Sequence, residues 1–282
     1  MPSDLARATA VSRLANAPGW YVADLPNDWS YLTPSGGVLM AVAMRAMAAE
    51  LGDEELLPVA ATTLFCSPVP CGPIEIRVEV LRRGNAAAQA RAALSSTTKP
   101  GPGLEVSATF ARARPGHDAL GIAMPAVPPP LTCPDAGQAA RRRSGRREHP
   151  FFENVDARLA AGPPVWDREG WSASDARLAC WYRYAVRQHD AAGKLHFFAI
   201  PPIADTMPGA LAARLGPGAE PFFAPSLDLT VHFLDASPAE WFLVDVRCQR
   251  ARAGYATADA DIWDEEGRLL ARATQTMMLR KR

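Results

Sequence analysis

Residues Leu269 to Leu279 alternate, and one face reads Leu269, Ala271, Ala273, Gln275, Met277, Leu279. Strand side chains point to opposite faces in turn, so Gln275 shares the apolar side. A buried carboxamide must pair its acceptor oxygen and two donor hydrogens or lose kilocalories. It is either a satisfied core amide or a group that holds a substrate or a water. A second polar group stands in the run Ser226-Leu-Asp-Leu-Thr-Val-His-Phe233, where Asp228 offers a carboxylate. Burial raises a carboxylate's pKa toward the range in which it takes a proton from water. An amide beside it can fix that water's lone pair on an electrophile. Alternation opposes this use of Asp228: it shares a face with Ser226, Thr230 and His232, and Leu227, Leu229, Val231 and Phe233 form the other. That reading makes Asp228 and His232 solvated surface residues unless both sheet faces are covered.

The elements that must position these groups occur twice. The first copy has strand-like runs at Val59 to Phe65, Pro73 to Val80, Gln89 to Leu94 and Leu104 to Arg112. The second has them at Leu227 to Phe233, Trp241 to Val246, Tyr255 to Trp263 and Leu269 to Met277. Turn residues separate them: Lys99-Pro-Gly-Pro-Gly103 in the first copy and Asp264-Glu-Glu-Gly267 in the second. A helix precedes each set. Thr33-Pro-Ser-Gly-Gly37 leads into Val38 to Leu51, whose Leu39, Ala41, Val42, Ala46 and Met47 join Val38 in a broad apolar stripe. Gly52 ends it. Pro201-Pro202 starts the other, Ile203 to Leu215, which Gly216-Pro217 stops. The unit is therefore strand, helix and four antiparallel strands, repeated: an α+β chain with two long helices, each packed on an antiparallel sheet, the sheets continuous.

The repeat isolates the polar groups. Aligning Phe65 with Phe233 sets Asp228 against Ala60, and aligning Ala108-Thr109 with Ala273-Thr274 sets Gln275 against Phe110. One polar site, supported mainly by second-copy strands, fits this pattern. Three segments follow: 1–113 as the first unit, 114–150 as a linker and 151–282 as the second unit. The linker holds Pro125-Ala-Val-Pro-Pro-Pro-Leu131 and Arg141-Arg-Arg-Ser-Gly-Arg-Arg147. The arginines read as a solvated connector, with phosphate binding as the sharper alternative.

Composition narrows the class. The chain has 282 residues, 48% of them hydrophobic, and balances 30 Lys+Arg against 30 Asp+Glu. That balance argues against a nucleic-acid or anionic-membrane binder. No apolar run reaches membrane-spanning length, and Met1 to Asn16 lacks the apolar stretch of a secretory signal. The 5 cysteines are odd in number, with no CxxC pair, and the 5 histidines are scattered. A reduced, cytoplasmic protein without a metal site is the simplest expectation. Exposed sheet edges favour a homo-oligomer.

The chain resembles the type II acyl-CoA thioesterases, the double-hotdog group. The resemblance rests on Ser226 to Phe233, Glu240-Trp-Phe-Leu243 and Asp264-Glu-Glu-Gly-Arg-Leu-Leu-Ala-Arg-Ala-Thr-Gln275. In the first copy it rests on Leu81-Arg-Arg-Gly-Asn85 and Ser107-Ala-Thr-Phe110. It spans about Trp20 to Leu279. It implies a tandem hotdog and hydrolysis of an acyl thioester, on CoA or an acyl carrier, by a water that an aspartate, a glutamine and a hydroxyl residue orient, with no cofactor. Carried over residue by residue, the aspartate falls on Asp228 and the glutamine on Gln275. The hydroxyl falls near Gln249 to Ala251, where Gln249 is the nearest polar group and no Ser or Thr stands.

A tetrahedral oxyanion also needs donors. The N–H groups at the start of the first helix, at Gly36 and Gly37, suit that role, since glycines admit a close approach; tight packing is the plainer use of the same glycines. Asp205, inside the second helix, is a rival carboxylate, because some single-hotdog thioesterases use a helix acid; its plainer use is as an acid favoured near a helix start. Two other functions stay open. One is a hotdog hydratase or dehydratase, disfavoured because Asp228 and His232 are four residues apart where five is expected. The other is a non-catalytic acyl-thioester-binding or assembly module, to which the missing hydroxyl points.

Overall fold

The computed structural model describes residues 1–136, 149–167 and 169–281. The arginine run 141–147 lies outside them. The first half contains strands β1 (Ser12–Arg13), β2 (Trp20–Leu25), β3 (Leu57–Phe65), β4 (Gly72–Arg83), β5 (Ala87–Ser96) and β6 (Leu104–Ala111). The second contains β7 (Val155–Ala161), β8 (Arg177–Tyr184), β9 (Phe222–Phe223), β10 (Ser226–Phe233), β11 (Phe242–Arg252), β12 (Tyr255–Asp264), β13 (Leu269–Met278) and β14 (Arg280–Lys281). Twelve of these form one antiparallel sheet in the order β1-β2-β4-β5-β6-β3-β10-β13-β12-β11-β8-β7. The two halves join edge to edge through β3 and β10, which removes one exposed edge from each.

That seam is nearly symmetric. Leu229 pairs with Thr63 and Val231 with Ala61; Asp228 pairs with Leu64 and His232 with Ala60. Thr230 pairs with Thr62, 168 residues away, and the two hydroxyls meet at 2.9 Å. A pseudo-two-fold axis therefore passes through this threonine pair, and residues 168 apart along β3 and β10 are equivalent. Both strands carry a bulge at matching places, between Pro58 and Ala60 and between Ser226 and Asp228.

The long helix Gly36–Leu51 lies on the inner face of the sheet. Eleven of its residues are buried, among them Val38, Met40, Val42, Met44 and Met47. A helix apolar on nearly all sides is a central element. Alanines on the facing strand β5 (Ala88, Ala90 and Ala92) are buried there and give it room; Ala256, Ala258 and Ala260 are buried on β12, which meets the short helix Pro208–Leu215. Gly52 closes it in the left-handed conformation with φ 58°, where a side chain is disfavoured.

The expected second long helix is broken. It consists of Ile200–Ala204 and Pro208–Leu215, with Asp205, Thr206 and Met207 between them. Pro208 has no N–H to donate back into the preceding turn, so a continuous helix would lose a bond and clash. Asp205 instead caps the first piece, its N–H donating to the Pro201 carbonyl at 3.1 Å, and the Thr206 hydroxyl donates to the Ile203 carbonyl at 2.8 Å. The break leaves the Asp205 side chain at the start of the long helix.

The described part of the linker is a cover. Met124, Val127 and Cys133 pack on Trp181, Trp241, Leu243 and Trp263, on the sheet face away from the helices. The Trp181 indole donates to the Pro128 carbonyl at 3.0 Å.

Candidate active site

Four segments meet around the Asp205 carboxylate. Oδ2 accepts from the Gly37 N–H at 3.0 Å and from the Ser35 hydroxyl at 3.3 Å, both at the start of the long helix. Oδ1 accepts from the Ser226 hydroxyl on β10 at 3.1 Å and from the Gln275 amide nitrogen on β13 at 2.5 Å. That nitrogen also donates to the Ser226 oxygen at 2.8 Å. The carboxylate only accepts, so the amide must turn its nitrogen toward it. The other end, Gln275 Oε1, is buried without a partner. Asp205 is 9% exposed, Gln275 2% and Ser35 1%.

Burial pushes the Asp205 carboxyl above its ordinary range, and the donors from Gly37, Gln275, Ser226 and Ser35 oppose that shift. Burial disfavours the charged form, whereas hydrogen bonds to the carboxylate favour it. The result is a carboxylate held in a dry place, a stronger base than one in water.

Gln275 stands on the inner face, as its alternation predicts. The other sequence assignments fall elsewhere. Asp228 pairs with Thr276 across β10 and β13, while Gln275 pairs with Leu229, so the two side chains leave opposite faces of the sheet. Asp228 accepts from the Thr276 N–H at 2.9 Å, and His232 is exposed on that outer face. Gln249 is exposed on β11 and bonds Asp259. Gly37 presents its N–H to Asp205, so that donor is already occupied. A Cβ on Gly37 would stand 2.1 Å from the Pro201 carbonyl oxygen, and one on Gly36 would stand 2.6 Å from the Phe65 ring. The glycine pair lets the start of the long helix touch the short helix that carries Asp205.

Ser226 is the hydroxyl that the alternation hides. Simple alternation puts it with Asp228, but the bulge between them inserts a residue and turns Ser226 to the inner face. The repeat alignment also needs correction. Ala61 pairs with Ala108, and its equivalent Leu229 pairs with Gln275, so Gln275 answers to Ala108 and not to Phe110. Under the 168-residue offset of the strands, Ser226 answers to Pro58; the helices correspond at both ends with an offset of 164, Gly36 to Ile200 and Leu51 to Leu215, so Asp205 answers to Ala41. The first half thus has Ala, Pro and Ala where the second has Asp, Ser and Gln. Among the described residues no three His, Cys, Asp or Glu side chains converge as metal ligands, and no helix is long and apolar enough to cross a membrane.

Comparison with known proteins gives this arrangement a family. Residues 25–112 match the acyl-CoA thioesterase N-terminal domain, and residues 125–279 match the acyl-CoA thioesterase C-terminal domain. No curated protein matches the sequence significantly. Among solved structures, the chain is similar to an acyl-CoA thioesterase II, TesB2, of Mycobacterium marinum, with TM-score 0.76 and 20% identity over 99% of this chain and 97% of that one. It is similar to a hot dog fold protein of unknown function from Alicyclobacillus acidocaldarius, with TM-score 0.79 and 20% identity over 99% and 98%. It is also similar to a tesB protein of Mycobacterium avium subsp. paratuberculosis, with TM-score 0.73 and 19% identity over 98% of each chain. At these identities the structural likeness establishes the hotdog fold. The two domain matches cover most of the chain, which belongs to the acyl-CoA thioesterase family.

Proposed function

We propose that this thioester hydrolase works through a water held by Gln275 Oε1 and the Asp205 carboxylate, with Ser226 fixing both. The observation that carries the reading is the buried, unpartnered Oε1 of Gln275 beside a desolvated carboxylate. A buried acceptor left empty is destabilising unless a donor such as a water O–H fills it.

Asp205 takes a proton from the water as its oxygen attacks the thioester carbonyl carbon. The carbonyl π electrons move to oxygen, giving a tetrahedral oxyanion. Collapse re-forms the carbonyl and breaks the C–S bond; the Asp205 carboxyl returns its proton to the leaving thiolate. The products are a carboxylic acid and a free thiol. The positive end of the long helix favours the negative charge that develops beside it. Gly37 contributes by holding Asp205. The reading puts the apolar acyl chain along the helix and inner sheet, and it takes 1–113 and 151–282 as the two hotdog units around a 114–150 connector. CoA is the substrate carrier the family favours.

The test is thiol release from a panel of acyl-CoA esters by the wild-type chain and by Asp205→Asn, Gln275→Leu and Asp228→Ala. Loss in the first two with Asp228→Ala active supports the reading. Full activity in Asp205→Asn sinks it.

A further inference from the structure

One hydroxyl near this site has no structural task. Thr63 is on β3, faces inward, is 0% exposed, and its Oγ1 has no hydrogen-bond partner. It pairs with Leu229 on β10, and Leu229 pairs with Gln275 on β13. The three residues form one row across the inner face. Two residues further along β3, the Phe65 ring stands against Gly36 at the start of the long helix. The row therefore runs beneath the helix start, with Gln275 at one end and Thr63 at the other. The Tyr31 hydroxyl is also buried and unpartnered and feels the Asp205 charge, but its ring packs with Phe151 and Phe152 off this row.

The pseudo-symmetry supplies an internal control. Thr63 is equivalent to Val231, which is 0% exposed in the other half. Val and Thr have nearly the same shape, so packing at this place does not need a hydroxyl. A buried hydroxyl without a partner is destabilising relative to a methyl. The half that lacks Asp, Ser and Gln has the added hydroxyl; the half that has them carries the valine.

Its reach fits the reaction. Two strand spacings of about 4.8 Å put Thr63 and Gln275 about 10 Å apart at the backbone. A water, the attacked carbon about 3 Å beyond it, and the carbonyl oxygen with a donor about 3 Å further match that length, lying over the buried Leu229 side chain that stands between the two residues. The Gly37 N–H is already bonded to Asp205, so the oxyanion lacks that donor. We infer that the Thr63 hydroxyl donates to the thioester carbonyl oxygen and stabilises the oxyanion from the side opposite the attacking water. This rests on the Asp205–Gln275 water reading and adds the substrate-contacting donor which that reading leaves open.

The experiment uses the full chain with Thr63→Val, Thr63→Ser and Asp205→Asn, measuring thiol release against acyl-CoA concentration and pH, with thermal melts alongside. Thr63→Val should melt at or above wild type while kcat falls by about 10²-fold, the usual effect of losing one oxyanion donor. KM should stay within a few-fold, and Thr63→Ser should restore most of kcat. The acid limb of the pH profile should not move in Thr63→Val, because its base is intact. Wild-type kcat in Thr63→Val overturns the inference, as does a lowered melting temperature, which would reveal a structural partner. Equal loss in the serine variant overturns it too. Asp205→Asn with wild-type turnover removes the water reading instead, and the Thr63→Val rate still decides whether the hydroxyl acts on substrate.

Discussion

Gly37, at the start of the long helix, and Asp205, at the break of the second helix, hydrogen-bond to each other, Gly37 N–H to Oδ2 at 3.0 Å. The start of the long helix in one half and the helix break in the other meet where the seam of the sheet is symmetric. One member of the pair is a backbone donor without a side chain; the other is a buried acid.

Replacing Asp205 by Asn should lower kcat by about 10²- to 10⁴-fold, the range for a general base. In the wild type, turnover should fall on acidification through a pKa above the ordinary aspartate value, since burial raises it. Initial rates of thiol release across pH measure both effects.

The same carboxyl sets a stability trend. Its folded pKa lies above the unfolded one, so the folded state holds its proton more tightly. The contribution is fully favourable below the unfolded value and is lost as pH rises through the folded value. Asp205→Asn should therefore gain melting temperature relative to wild type at neutral pH, and the gain should narrow as pH falls toward the ordinary aspartate range. Melts at several pH values would expose the opposite slope if it existed.

Gln275→Leu should lose about 10²-fold in kcat, because the water loses its acceptor and Asp205 loses a donor. Without that hydrogen bond the carboxyl rises further, so the acid limb should move to higher pH. A variant with unchanged rate and unchanged limb contradicts the arrangement.

Asp228→Ala and Gln249→Ala should keep turnover within about twofold, since neither side chain is on the inner face. Asp228→Ala forfeits one bond to the Thr276 N–H, about 1 kcal/mol. Parallel activity and denaturant titrations check this.

Gly37→Ala should be far worse than Gly36→Ala. The first sets a Cβ 2.1 Å from the rigid Pro201 carbonyl, the second 2.6 Å from a phenyl ring that can rotate. Overpacking of the first kind costs about 1–3 kcal/mol and displaces Asp205. Thermal melts and turnover of both variants test the order.

Period-two alternation and the paired turn residues made the repeat, the strands and the buried place of Gln275 readable from sequence, because which face a strand residue takes is a local property. The apolar run Val38 to Leu51 likewise announced a central helix. Two local irregularities hid the rest. A bulge between Ser226 and Asp228 turns Ser226 inward and leaves Asp228 outward. Pro208, an interruption visible in the sequence, broke the second helix and made Asp205 a terminal residue.

What remained was long-range. That Asp205, Gln275, Ser226 and Gly37 share one set of hydrogen bonds follows from β3 meeting β10 edge to edge, a contact between segments 168 residues apart. No local pattern encodes that distance: the chain names the groups and their faces, and only closing the seam decides which of them touch.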